Sequence, residues 1–198
     1  MIKLIYGIYK NVRDAALQCL VDYGIAALPV DLSKIIGAAG IKILKNTDVC
    51  LLAGDESGAC FYDYNNQEWF LVYDDEVTVG RRRVAIAHEL GHIFLGHELI
   101  ASESGYTFNS HYREAEEQAD DFMRRLLAPV CVLYGLNLHT AADIAKVCGM
   151  SVAESKKHAE RMKELHKQQE FLTTPLEKKV YEQFKPFIEQ NKNRNEGV

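Results

Sequence analysis

The chain has 198 residues and a formal charge of −5, so it can bury a sizeable core and carries no overall basic field that would draw it onto nucleic acid. Apolar residues at 47% and charged residues at 26% exclude a disordered or membrane-embedded composition. The run Arg81-Arg82-Arg83 is a local exception and reads as the solvated first turn of a helix.

Val12, Ala15, Ala16, Cys19, Leu20 and Tyr23 recur at helical spacing, which predicts an amphipathic helix over 11–23 ended by Gly24. Leu28-Pro29-Val30 is extended. Asp31 then caps a short helix with Leu32, Ile35 and Ile36 inward, stopping near Gly37 to Gly40. From Ile41 the texture changes. Val49 to Ala53, Ala59 to Tyr64 and Trp69 to Tyr73 are short aromatic and β-branched runs, separated by turn residues at 54–58 and 65–66. They predict a small antiparallel sheet of three or four strands. Thr78 is the expected N-cap of a helix to about Leu95, with Val84, Ala87, His88, Gly91, His92 and Leu95 on one inward face. Gly91 lowers helix propensity: either a side chain there would crowd the sheet or a substrate, or the glycine is merely tolerated. Residues 101–111 have no clear period and predict a loop, followed by a helix from Arg113 to Ala128 that Pro129 ends.

Within the central helix lies His88-Glu89-Leu90-Gly91-His92. Two histidines four apart stand one turn from each other, so both imidazoles can reach one ion, and the Glu beside the first can take a proton from water on that ion. This is the H-E-x-x-H pattern of zinc hydrolases, which needs a third protein ligand and an open fourth position. A third His in the H-E-x-x-H-x-x-G-x-x-H form would need glycine at 95 and histidine at 98, where the chain has Leu95 and Glu98. The other arrangement takes a Glu from a second helix, with an Asp one turn later supporting a ligating His through its free ring nitrogen. Glu116/Asp120 and Glu117/Asp121 both have that spacing, and helix phase separates them. Glu116 shares a stripe with Ala119, Met123, Leu126 and Leu127, whereas Glu117 lies with Arg113, Asp121, Arg124 and Arg125 on a solvated, ion-paired face. A carboxylate on an apolar stripe needs a positive partner, which selects Glu116 as ligand and Asp120 as its support.

The run Arg82 to His92, then His97, then Glu116 to Asp120 with Phe122 and Leu126-Leu127-Ala128-Pro129, resembles the ImmA/IrrE family of metallopeptidases. The second block is similar to that family's E-x-x-A-[ND]-x-F-A-x-x-L-L-x-P, with Met123 where the family often has Ala. Leu28 to Leu32 and Gly40 to Ile43 resemble its lead-in, so the likeness covers about residues 11–165. It implies an α+β zincin-like metallopeptidase domain, placed here at residues 1–130, with a helical region at 131–198. It also implies a helix-turn-helix repressor of phage or mobile-element type as the protein partner. Zn²⁺ on His88, His92 and Glu116 is the expected cofactor, although the same ligands can hold Mn²⁺ or Fe²⁺. Glu89 is the expected base for peptide hydrolysis, and Tyr106, His111 and Tyr112 are candidate donors to the developing oxyanion. The rival reading is a metal-bearing anti-repressor that occupies its partner without cutting it. His97 falls one to two turns beyond His92 and is expected to pack or hydrogen-bond near the site.

The five cysteines (19, 50, 60, 131, 148) form no C-x-x-C pair and read as reduced thiols. Met1 to Tyr6 shows no signal-peptide pattern and no stretch reaches the roughly 18 apolar residues of a membrane helix, so a cytoplasmic protein is expected. Thr140 to Val152 resembles the first half of a helix-turn-helix, but Ser155 and His158 stand at packing positions that are usually apolar. Acidic residues balance Lys156, Lys157 and Arg161, which argues against DNA binding. Leu176, Val180, Phe184 and Ile188 predict a further helix that Pro186 bends or ends.

Overall fold

Asn11 opens the first helix, its side-chain carbonyl accepting the Asp14 backbone N–H at 2.8 Å, and α1 (Val12–Asp22) follows. The structure, a computed structural model, describes residues 11–97 and 113–192, with the backbone of 99–102 and 105–108 between them. These residues fall into two units, 11–15 with 32–123 and 16–31 with 124–192.

In the first unit α2 (Leu32–Ala39) buries Leu32, Ile35 and Ile36. A three-stranded sheet follows, formed by β1 (Lys42–Lys45), β2 (Gly58–Asp63) and β3 (Glu68–Tyr73) in the order β1-β3-β2. The antiparallel pairing expected from the sequence holds for β2 and β3, where Phe61 faces Phe70 and Tyr62 faces Trp69 in register. Those rings stack at 5.2 Å and tilt at 5.3 Å, the cross-strand aromatic contacts that fix a hairpin. The sheet is mixed, because β1 runs parallel to β3 with Lys42 opposite Phe70 and Lys45 opposite Tyr73. A parallel neighbour needs a long crossover, and residues 46–67 supply it.

The run at 49–53 is not a strand. A helical turn, α3 (Asn46–Val49), takes in its first residue, and Asn46 Oδ1 accepts the N–H groups of Leu51 and Leu52, both at 3.0 Å. A side-chain carbonyl thus takes donors that a ladder would have used. The loop expected at 101–111 instead contains a second, two-stranded sheet. β4 (Leu99–Ser102) and β5 (Gly105–Phe108) pair antiparallel, Leu99 opposite Phe108 and Ser102 opposite Gly105, and β5 lies against β2.

Against β2 and β3 packs α4 (Val79–Leu95), capped at Thr78, whose hydroxyl accepts the Arg81 N–H at 3.4 Å. The buried face is wider than the expected stripe. Ala87, Leu90, Ile93 and Phe94 are its most buried members, which leaves His88 at the rim. Next comes α5 (Arg113–Leu127), its apolar side carrying Ala119, Phe122 and Met123 in this unit.

The second unit holds α6 (Val130–Gly135), α7 (Ala141–Cys148), α8 (Val152–Gln168) and α9 (Pro175–Lys192). Gln183 of α9 donates to the carbonyls of Leu20 and Ile25 at 2.8 and 2.7 Å, joining that helix to the end of α1. Pro186 does not end α9, which runs on to Lys192 with Phe184 and Ile188 buried on either side of it. α7 and α8 carry side-chain caps at Thr140 and Ser151 and meet at the left-handed Gly149. Ser155 is accommodated in the packing by donating its hydroxyl to Ser151 O at 2.9 Å.

His158 is 6% exposed, and its Nε2 has no hydrogen-bond partner among the described residues. Burial pushes its pKa down to about 4, with Arg124, Arg125 and Lys157 acting in the same sense and Glu154 against. The unfolded chain therefore takes up this proton first as pH falls. Stability should be full above about pH 6.5 and decline toward about pH 4, a loss on the order of 3 kcal/mol from this residue. Denaturant unfolding of wild type and His158→Leu between those pH values measures the difference, and the variant should lack that part of the slope.

Candidate metal centre

The helical rise that separates His88 from His92 by one turn brings their Nε2 atoms within 3.0 Å. From α5, Glu116 places Oε2 at 3.2 Å from His88 Nε2 and Oε1 at 3.4 Å from His92 Nε2. Tetrahedral coordination at the usual zinc–nitrogen and zinc–oxygen lengths spaces ligand atoms roughly 3.3–3.5 Å apart, so two imidazole nitrogens and a carboxylate at these separations fit one cation. The three ligand atoms all lie within 4.8 Å of one another, and this is the one such group among the described residues. His92 is 3% exposed, whereas Glu116 stands at the margin of the stripe with 41% of its side chain exposed.

Asp120 Oδ1 lies 3.0 Å from His88 Nδ1 and accepts its proton. Glu117, the alternative in the sequence, points elsewhere: it is exposed and accepts from Arg113 at 2.7 Å. The electrostatics of the side chains have the sense a cation would complete. Burial opposes charge on His88, but the Asp120 and Glu116 hydrogen bonds outweigh it and raise its pKa to about 10. Burial and the neighbouring His88 push His92 down to about 3. The His88 hydrogen bond holds Glu116 below the ordinary carboxylate range.

Glu89 is 8% exposed and turned toward the sheet, where Oε2 accepts the Cys60 thiol at 2.9 Å. Burial raises its pKa, with His88 and the Cys60 thiol opposing. Gly58, also on β2, leaves the space this carboxylate occupies, since a Cβ there would come within 3.1 Å of Glu89 Cγ. The sequence did not mark Cys60 or Gly58, because nothing local distinguishes a strand cysteine or glycine that faces a carboxylate from one that does not. On the far side of the site, His97 Nδ1 lies 2.9 Å from His92 Nδ1 and His97 Nε2 lies 3.1 Å from Gln118 Oε1. The left-handed Gly96 ends α4 and returns the chain, with the His97 N–H donating to His92 O at 3.2 Å. Tyr106 lies on β5, whose backbone alone is described; His111 and Tyr112 lie outside the described residues.

A family model described as the IrrE N-terminal-like domain of Peptidase M78 matches residues 44–159, more than half of the chain. The chain belongs to the ImmA/IrrE family. No similar curated protein is found. Family membership supports a metallopeptidase-like function, and the His-His-Glu group of this ImmA/IrrE member is positioned to bind a metal. No helix among its described residues is long and apolar enough to cross a membrane.

Gly91 lets the two helices of the site approach. A Cβ there would stand 3.1 Å from both Cα and the carbonyl oxygen of Ala119, so the crowded neighbour is the α5 backbone rather than the sheet or a substrate. Alanine gains up to about 1 kcal/mol of helix propensity but forces two backbones apart, at a cost of about 1–3 kcal/mol. Gly91→Ala should therefore be destabilised by about 1 kcal/mol and Gly91→Val by more, each with weaker metal binding. Denaturant unfolding and a chelator-competition titration read the two effects.

Proposed function

We propose that the protein is a cytoplasmic zinc-dependent endopeptidase whose substrate is a helix-turn-helix transcriptional repressor, with the chemistry carried by a domain at residues 1–130. The observation that carries this reading is the convergence of His88, His92 and Glu116 beside a buried carboxylate, Glu89. An ion on those three ligands would supply Lewis acidity, activating water and polarising the scissile carbonyl. Glu89 is the proton carrier. Cys60 holds Oε2, which leaves Oε1 to take a proton from the attacking water and deliver it to the departing amine. Burial raises its pKa, the direction that suits a carboxylate that must accept a proton and then release it. Asp120 fixes His88 with Nδ1 protonated and Nε2 toward the site. Tyr106, His111 and Tyr112 are the proposed oxyanion donors.

The test is incubation of the zinc-loaded protein with the repressor encoded beside its gene, with and without chelator. Mass spectrometry should find a single cut that chelator prevents. A stable complex without cleavage would overturn the endopeptidase reading in favour of an anti-repressor acting by occupancy.

A further inference from the structure

We infer that Glu114, Gln118 and His97 form a positioning relay that fixes which nitrogen of His92 faces the metal site. The inference rests on reading His88, His92 and Glu116 as that site. His92 presents Nε2 to the group and Nδ1 to His97, the two Nδ1 atoms being 2.9 Å apart. Two ring nitrogens at that distance share one proton, so one donates and the other accepts. If His97 donated, neutral His92 would keep its own proton on Nε2 and have no lone pair for a cation. If His92 donates, its Nε2 is a ligand.

The choice is made at the other end of the His97 ring. Its Nε2 lies 3.1 Å from Gln118 Oε1, and a carbonyl oxygen only accepts, so His97 donates there and its Nδ1 is left bare. The amide orientation is itself set. Gln118 Nε2 donates to Glu114 Oε1 at 3.2 Å, and a carboxylate offers no proton in return. Turning the amide over would place oxygen against oxygen at Glu114 and a donor against His97. The order of donation therefore runs His92 Nδ1 to His97 Nδ1, then His97 Nε2 to Gln118 Oε1, with Glu114 holding the last member. Glu114 and Gln118 are one turn apart on α5, and the Gly96 turn returns His97 to meet them. His88 receives the same service directly from Asp120, whereas His92 receives it through neutral groups.

The test uses the full chain. In the metal-free protein, long-range ¹H–¹⁵N spectra of the histidine rings should show His97 protonated on Nε2 and His92 on Nδ1. Zinc affinity is then measured by competition with a chromogenic chelator. Gln118→Glu keeps an acceptor and should bind within about threefold of wild type, whereas Gln118→Met and His97→Phe should each lose about tenfold. The double variant His97→Phe/Gln118→Met should be no weaker than His97→Phe, because both break the same relay. Wild-type affinity in Gln118→Met, or a wild-type His97 protonated on Nδ1, would overturn the relay while leaving the metal-centre reading intact. Failure of the wild type to take up zinc would overturn the metal centre and, with it, the relay's role. The wild-type spectrum needs no variant to fold.

Discussion

Glu89→Gln should bind a divalent ion as wild type does and lose peptide cleavage by about 10²- to 10⁴-fold, the share a positioned general base contributes. The substitution is nearly isosteric. The amide oxygen can still accept the Cys60 thiol, and removing an ionisable group from a site 8% exposed relieves a desolvation cost rather than creating one. Folding is therefore expected to be unchanged or slightly improved. Turnover of the zinc-loaded variant, followed by mass spectrometry on the repressor, measures the loss. Cleavage at the wild-type rate would remove Glu89 from the chemistry.

Zinc at 100 times its dissociation constant should raise the unfolding free energy by about 2.7 kcal/mol, since the unfolded chain does not hold the three ligands together. For a chain of this size that corresponds to roughly 5–10 °C in Tm, reversed by chelator. Glu116→Ala should abolish the shift and Glu117→Ala should leave it intact, because Glu117 is committed to an exposed pair with Arg113. Equal shifts in the two variants would mean that the ion, if bound, does not use the carboxylate of α5 that meets the histidines.

The site's skeleton was legible because helices convert spacing into geometry. The four-residue spacing of His88 and His92, and the phase of Glu116 against Ala119 and Met123, are local facts. The structure gives them coordinates without long-range help, and the Thr78 cap is of the same kind. What was hidden depends on partners far apart in sequence. Cys60 meets Glu89 across the β2–α4 packing, and His97 meets Gln118 only because two helices approach at Gly91 and Ala119. The strand errors have a related origin. At 49–53 a single asparagine side chain took the backbone donors, and β-propensity does not count such competitors. At 99–108 the β-forming residues Leu99-Ile100 and Tyr106-Thr107-Phe108 lie on two strands that pair antiparallel, and the polar composition around them masked that signal.

The turn at Gly96 has a consequence for how this chain can vary. Four residues separate two rings that must touch edge to edge, and a mirror-handed backbone at the last of them is what allows it. One added or deleted residue in that interval would swing the second ring by about 100° if the helix continued through it. A β-branched residue in place of the glycine would resist the required φ. Segment length there is thus quantised, and tolerance to insertion should begin only after position 97.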